Sequence, residues 1–185
     1  MEVVTAYTGE NHIHAVDDAP WHRGIAGLTS FVFNDPELEG FDTNIQSNNE
    51  VRIRSGIAAN QGRIFRVPIN TYDSISIANG TRGENRIDRI VARYTQDGET
   101  KLENCEWIVI QGTPTTGTPT APAYTQGNLD NGDPTNDMPM FQVRLSGLTI
   151  TSVTPEFTVA QTLEDSRISQ ETINMFEDAG YPITD

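Results

Sequence analysis

The sequence has little of several things that usually mark a function. One cysteine (Cys105) and one lysine (Lys101) occur among 185 residues, and the only three histidines all fall between positions 12 and 22. A lone cysteine excludes an intrachain disulfide and a cysteine-based zinc site within one chain. No apolar run reaches the length of about 18 residues that a membrane helix needs. The opening, MEVVTAYTGE, lacks the basic-then-apolar order of a secretory signal, so synthesis in a cytoplasm without export by that route is expected. Phosphate-binding glycine loops, dinucleotide fingerprints and zinc-protease helix motifs are missing as well. A Ser-His-Asp triad would have to take its histidine from residues 12 to 22, and no serine elbow accompanies them. Carboxylates abound, but none sits in an apolar setting that would suit acid catalysis. These absences point away from an enzyme and from a bound cofactor.

What is present is acid. Formal net charge is −14, which should repel nucleic acid and anionic membranes. The distribution is uneven. Residues 51 to 94 carry eight arginines against Asp73, Glu84 and Asp88, a net of +5, while the rest of the chain nets −19. Arginine in place of lysine suits fixed, planar ion pairs. Those pairs either close within the chain or join subunits, since interfaces favour arginine over lysine.

The length suits one domain, and the apolar alternation has a period of two. In EVRIRS, Val51 and Ile53 fall on one face and Arg52 and Arg54 on the other. GRIFRVPI, YDSISIANG and NRIDRIVARYTQDG follow, with Asp88, Ile90, Ala92 and Tyr94 sharing a face. Asn79-Gly80 and Asp97-Gly98 read as tight hairpin turns that use a positive φ. KLENCEWIVIQG is the expected partner of the second, with Cys105 a buried small hydrophobe. Residues 112 to 139 form a long loop rich in proline and glycine, of the kind that often makes contacts. Sheet resumes with MFQVRLSG, LTITSV and PEFTVA. VDDAPWHRGIAG reads as a short helix capped by aspartate and ended by Gly24 or Gly27. ISQETINMFEDAGYP reads as another, capped by Ser169 and stopped at Gly180. The expectation is a mainly β protein, an antiparallel sandwich or distorted barrel. It divides into an N-terminal arm with a short helix (1–27), a β domain (28–160) and a short C-terminal helical tail (161–185).

The histidine-bearing stretch, YTGENHIHAVDDAPWHRGIAG, has two readings. On an extended strand His12 and His14 point the same way, about 7 Å apart, and could share a cation with Asp17 or His22. Alternatively, Asp17 and Asp18 cap the helix and the histidines are polar surface or subunit contacts. No second histidine cluster lies downstream to complete a metal site, which favours the second.

Across residues 4 to about 159 the chain resembles a family of tail and baseplate structural proteins of siphophages and prophages of Gram-positive bacteria. The likeness rests on a succession: VTAYTGENHIHAVDDAPWHRGIAG, SNNEVRIRSGIAANQGRIFRV, YDSISIANGTRGENRIDRIVARYTQDG, VIQGTPTTGTPTAPAYTQGNL and MPMFQVRLSGLTI. The resemblance implies a non-enzymatic, self-assembling virion part at the tail tip, made in the bacterial host cytoplasm. Its partners would be itself, as a homotrimer or ring, and other baseplate proteins. The residues expected to carry assembly are His12, Ile13, Trp21, His22 and Arg23 in the arm and Arg52, Arg54, Arg63 and Arg66 on the paired strands. The alternative is a glycan-binding receptor module of the same tail tip that contacts host cell-wall glycan through Tyr72, Trp107 and Tyr124.

Overall fold

In the computed structural model, which describes residues 15–27, 29–160, 174, 175, 178 and 179, the alternation resolves into two antiparallel four-stranded sheets. Helix α1 (Ala15–Ala26) comes first, then β1 (Phe31–Val32), β2 (Thr43–Ser47), β3 (Glu50–Asn60) and β4 (Arg63–Ser76). These four strands make the first sheet. β4 pairs along one edge of β3, and β1 and β2 pair with opposite ends of it on the other. β5 (Asn85–Gln96), β6 (Glu103–Ile110), β7 (Thr135–Ser146) and β8 (Thr149–Pro155) make the second sheet, ordered β6-β5-β7-β8. None of the named strands pairs across the two sheets, so the architecture is a sandwich and the barrel alternative falls away.

The alternation decides which side chains meet between the sheets. Val51 and Ile53 of β3 are fully buried, as are Ile90 of β5 and Met140 and Val143 of β7, while Arg52 and Arg54 point outward. Burying each large aliphatic contributes roughly 1.5–3 kcal/mol. Pro139 is tolerated inside β7 because it lies where the ladder with β5 slips, opposite Val91. That strand begins at Thr135, so the proline-rich connection is shorter than the sequence suggests. Cys105 is half-buried against the core on the edge strand β6.

Two turn assignments change. Asn79-Gly80 is not a hairpin: residues 77–84 carry the chain from β4 in one sheet to β5 in the other. Gly80 is required there by crowding, since a Cβ would lie 1.9 Å from the Gly147 carbonyl oxygen. The β5–β6 hairpin does exist, but the residue with positive φ is Lys101 rather than Gly98. Asp97 organises that turn by accepting from the Thr100 and Glu99 amides. The tight two-residue hairpin lies instead between β3 and β4, where Gln61 and Gly62 have φ of 47° and 85°, as a type I′ turn demands.

α1 also differs from expectation. It extends N-terminally past Asp17 and Asp18, leaving Pro20 inside it, and ends at Gly27, whose φ is 65°. The aspartates therefore lie in its first turns, where negative charge suits the helix dipole, and do not cap it. Of the expected C-terminal helix, Asn174, Met175 and Asp178 are helical, Ala179 is in a turn, and the rest lies outside the described residues.

Candidate functional site

The β3–β4 turn is the seat on which α1 docks. Ala19 is completely buried, and its Cα lies only 2.6 Å from where a Cβ on Gly62 would stand. The helix can approach this closely only because the turn residue is glycine. One turn on, His22 Nδ1 lies 2.8 Å from the Gly62 carbonyl oxygen. An acceptor there requires Nδ1 to carry the proton, so in the neutral ring Nε2 is the free lone pair. Arg23 donates to the Gln61 carbonyl, and Ala26 joins a small cluster with Phe31, Ala59 and Ala160. The spacing of Ala19, His22, Arg23 and Ala26 is that of one helical face.

A residue that sequence reasoning did not single out completes the dock. Asp130 receives both Arg23 Nη2 and Arg63 Nη1 at 2.9 Å. The hydrogen bond from Arg63, reinforced by Arg23, holds the Asp130 carboxyl below the usual carboxylate range. Asp130 lies in a short 3₁₀ turn, Leu129–Asn131, whose N-cap Asn128 accepts from the Asp130 and Asn131 amides. Gln61 pins that turn by donating to the Gly127 carbonyl and accepting from the Leu129 amide. The only sequence signal was local, an asparagine cap ahead of Leu-Asp-Asn-Gly, and nothing in it indicates a partner more than 60 residues away.

The expected assembly residues thus separate. His22 and Arg23 contact the body of their own chain. Trp21 and Ile25, four residues apart, lie on the other side of α1, 63% and 67% exposed. Arg63 is held by Asp130 and is nine-tenths buried. Arg52 pairs with Glu50 and lies 4.4 Å over the Tyr72 ring, and Arg54 pairs with Glu39. Such exposed pairs contribute about 0–1 kcal/mol. Arg66 is exposed and has no ion-pair partner among the described residues. Arg86, Arg89 and Arg93 pair with Asp88, Glu156 and Asp137 of the same chain. Most of the arginine-rich stretch therefore closes on its own subunit.

The aromatic candidates do not converge. Tyr72 stacks beneath Arg52 on the outside of the first sheet. Tyr124 lies 4.9 Å from the Arg89 guanidinium, on the outside of the second. Trp107 points between the sheets, edge-on to Phe41 and Phe65, with Nε1 donating to Asp73 at 2.8 Å. His12, Ile13 and His14, with the side chain of Asp17, fall outside the described residues. No cluster of three metal-ligating side chains occurs among the described ones.

The long connection is tied down across the outer face of the second sheet. Asp137 takes a bidentate pair from Arg93 and a bond from the Thr125 amide. Burial pushes the Asp137 carboxyl up, but Arg93 and Thr125 outweigh it and the group sits below its ordinary value. Glu156 behaves alike: burial raises it, and Arg89 with Gln142 bring it lower still. Arg89 also donates to the Pro122 carbonyl.

No protein-family model, curated protein or solved structure matches the chain.

Proposed function

We propose that this protein is a structural, self-assembling component of a phage or prophage tail baseplate, with α1 as a subunit contact. The observation that carries the proposal is the two-sidedness of α1. One side is anchored on the β3–β4 turn through Ala19, His22 and Arg23, and the other offers Trp21 and Ile25 to solvent. A solvated surface helix normally keeps one side polar. A large aromatic and an isoleucine held rigidly outward suit a contact whose aromatic anchor fills a partner's pocket. The resemblance across residues 4 to about 159 supports the same reading and supplies the setting. The arginine contacts expected between subunits recede, because their carboxylates lie within the chain. Arg66, exposed and with no ion-pair partner among the described residues, remains available for such a contact.

Sedimentation velocity on the full chain and on a Trp21→Ser, Ile25→Ser double variant tests the proposal. The full chain should associate as concentration rises, and the variant should stay smaller while keeping its circular dichroism. A full chain that stays monomeric at every concentration, or a variant that associates equally well, overturns it.

A further inference from the structure

Three pairs in the chain place glycine directly after an asparagine or aspartate: Asn79-Gly80, Asp97-Gly98 and Asn131-Gly132. In such a pair the glycine amide nitrogen can attack the preceding side-chain carbonyl, because no Cβ shields it. We infer that Asn79 is a site of self-modification, at which the chain converts an asparagine into an isoaspartyl link in the crossing from one sheet to the other. The site is separate from α1 and its dock, and the inference does not rest on the assembly reading.

Hydrogen bonding singles out Asn79. The Gly132 amide donates to the Leu129 carbonyl, and attack on Asn131 would first have to break that bond. Asp97 Oδ1 accepts from the Glu99 amide and from both the amide and the hydroxyl of Thr100, which clamp its side chain. Asn79, by contrast, is exposed, and its side-chain amide has no hydrogen-bond partner among the described residues. The Gly80 amide has none either. Both reacting groups are therefore free.

Arg86 sets the outcome. The Gly80 nitrogen loses its proton to solvent base and bonds to Asn79 Cγ, and the side-chain nitrogen leaves as ammonia. The succinimide ring that results holds two carbonyls, the former Cγ and the main-chain carbonyl of residue 79. Arg86 Nη1 donates to that main-chain oxygen at 3.2 Å. Its Nη2 holds the Ala78 carbonyl and Asp88, which keeps the guanidinium in place. A fixed cation there polarises the carbonyl. Before closure it makes the Gly80 N–H more acidic, and in the ring it draws water to the main-chain carbon. Water adds at that carbon, its bond to the Gly80 nitrogen breaks, and the carboxylate formed stays on Arg86. The chain then runs through Cβ and Cγ, one methylene longer. Water is the only reagent consumed. Gly80 has no slack for the longer link, since even a Cβ would stand 1.9 Å from the Gly147 carbonyl oxygen.

Ageing the full chain in mildly alkaline buffer, folded and in urea, tests this. Peptide mass spectrometry reads the gain of about one dalton at each asparagine, and enzymatic methylation of the freed α-carboxylate counts isoaspartate. Relative to its own rate in urea, Asn79 should convert about fivefold faster than Asn131, the factor expected from one hydrogen bond that must open. Isoaspartate should form a larger share of the product at position 79 in the folded chain than in urea. Asn79→Gln, whose longer side chain closes a ring far more slowly, should lose the signal and keep its circular dichroism. The inference is overturned if Asn131 converts as readily as Asn79 in the folded chain. It is equally overturned if the isoaspartyl share at position 79 is no higher folded than in urea.

Discussion

Asn136 Nδ2 donates to Asn60 Oδ1 at 2.6 Å, joining β7 of one sheet to β3 of the other through the interior of the sandwich. Both side chains are buried, and Asn60 returns bonds to the Ala92 and Asn136 carbonyls. Asn136 also accepts from the Gly127 amide through Oδ1. Asn136→Ala would leave Asn60 Oδ1 and the Gly127 amide unsatisfied and should cost about 1–3 kcal/mol. Urea unfolding should show a lower midpoint with an unchanged slope. A midpoint equal to that of the parent would mean that water replaces the lost amide.

Gly62→Ala should undock α1. Its φ of 85° disfavours a side chain, and the new Cβ would meet the Ala19 backbone at 2.6 Å, where no flexible group can give way. The turn strain alone is of order 1–3 kcal/mol. Hydrogen exchange should quicken across residues 18–26 while the β5–β7 ladder stays protected. Protection in the helix equal to the parent's would refute the docking argument.

The loop tethers should loosen in acid. The Asp137 and Glu156 carboxyls sit below their ordinary values in the folded protein. Their stabilisation is therefore present above the unfolded values, about 3.9 and 4.3. It is lost as pH falls through the lower folded values. Amide exchange at Thr125 and Gly127, corrected for intrinsic rates, should rise as the solution is taken below about pH 4. Asp137→Asn should remove most of that dependence at Thr125. A profile flat in the parent chain would contradict the tethering.

Cys105 should be a poor nucleophile. Burial, with Glu106 nearby, pushes its thiol up to about 12, so little thiolate exists at neutral pH. Alkylation by iodoacetamide at pH 8 should be far slower in the folded protein than in urea, as mass spectrometry can follow. Equal rates in the two states would show the thiol to be open.

The strand alternation was legible from sequence because facing is a local property: a period of two places Val51 and Ile53 inward whatever partner lies beyond. The face shared by Asp88, Ile90, Ala92 and Tyr94 was legible for the same reason. So was the β5–β6 hairpin, since its two strands are close neighbours. The candidate site was far less legible. Asn79-Gly80 has the chemistry of a hairpin, but whether the next strand returns beside β4 or crosses to the other sheet depends on which faces must be covered. Gln61-Gly62, with a weaker local signal, makes the tight turn because α1 and the Leu129–Asn131 turn hold it there.

Sequence alone therefore determined the class of fold and its core faces, both of which follow from side-chain periodicity. Tertiary structure decided what each charge meets. Arg23 and Arg63 converge on Asp130, and Arg93 closes on Asp137, across separations that no local rule spans. The physical reason is that ion pairing and docking act over a few ångströms in space, whereas a pattern along the chain reports only on neighbours in sequence.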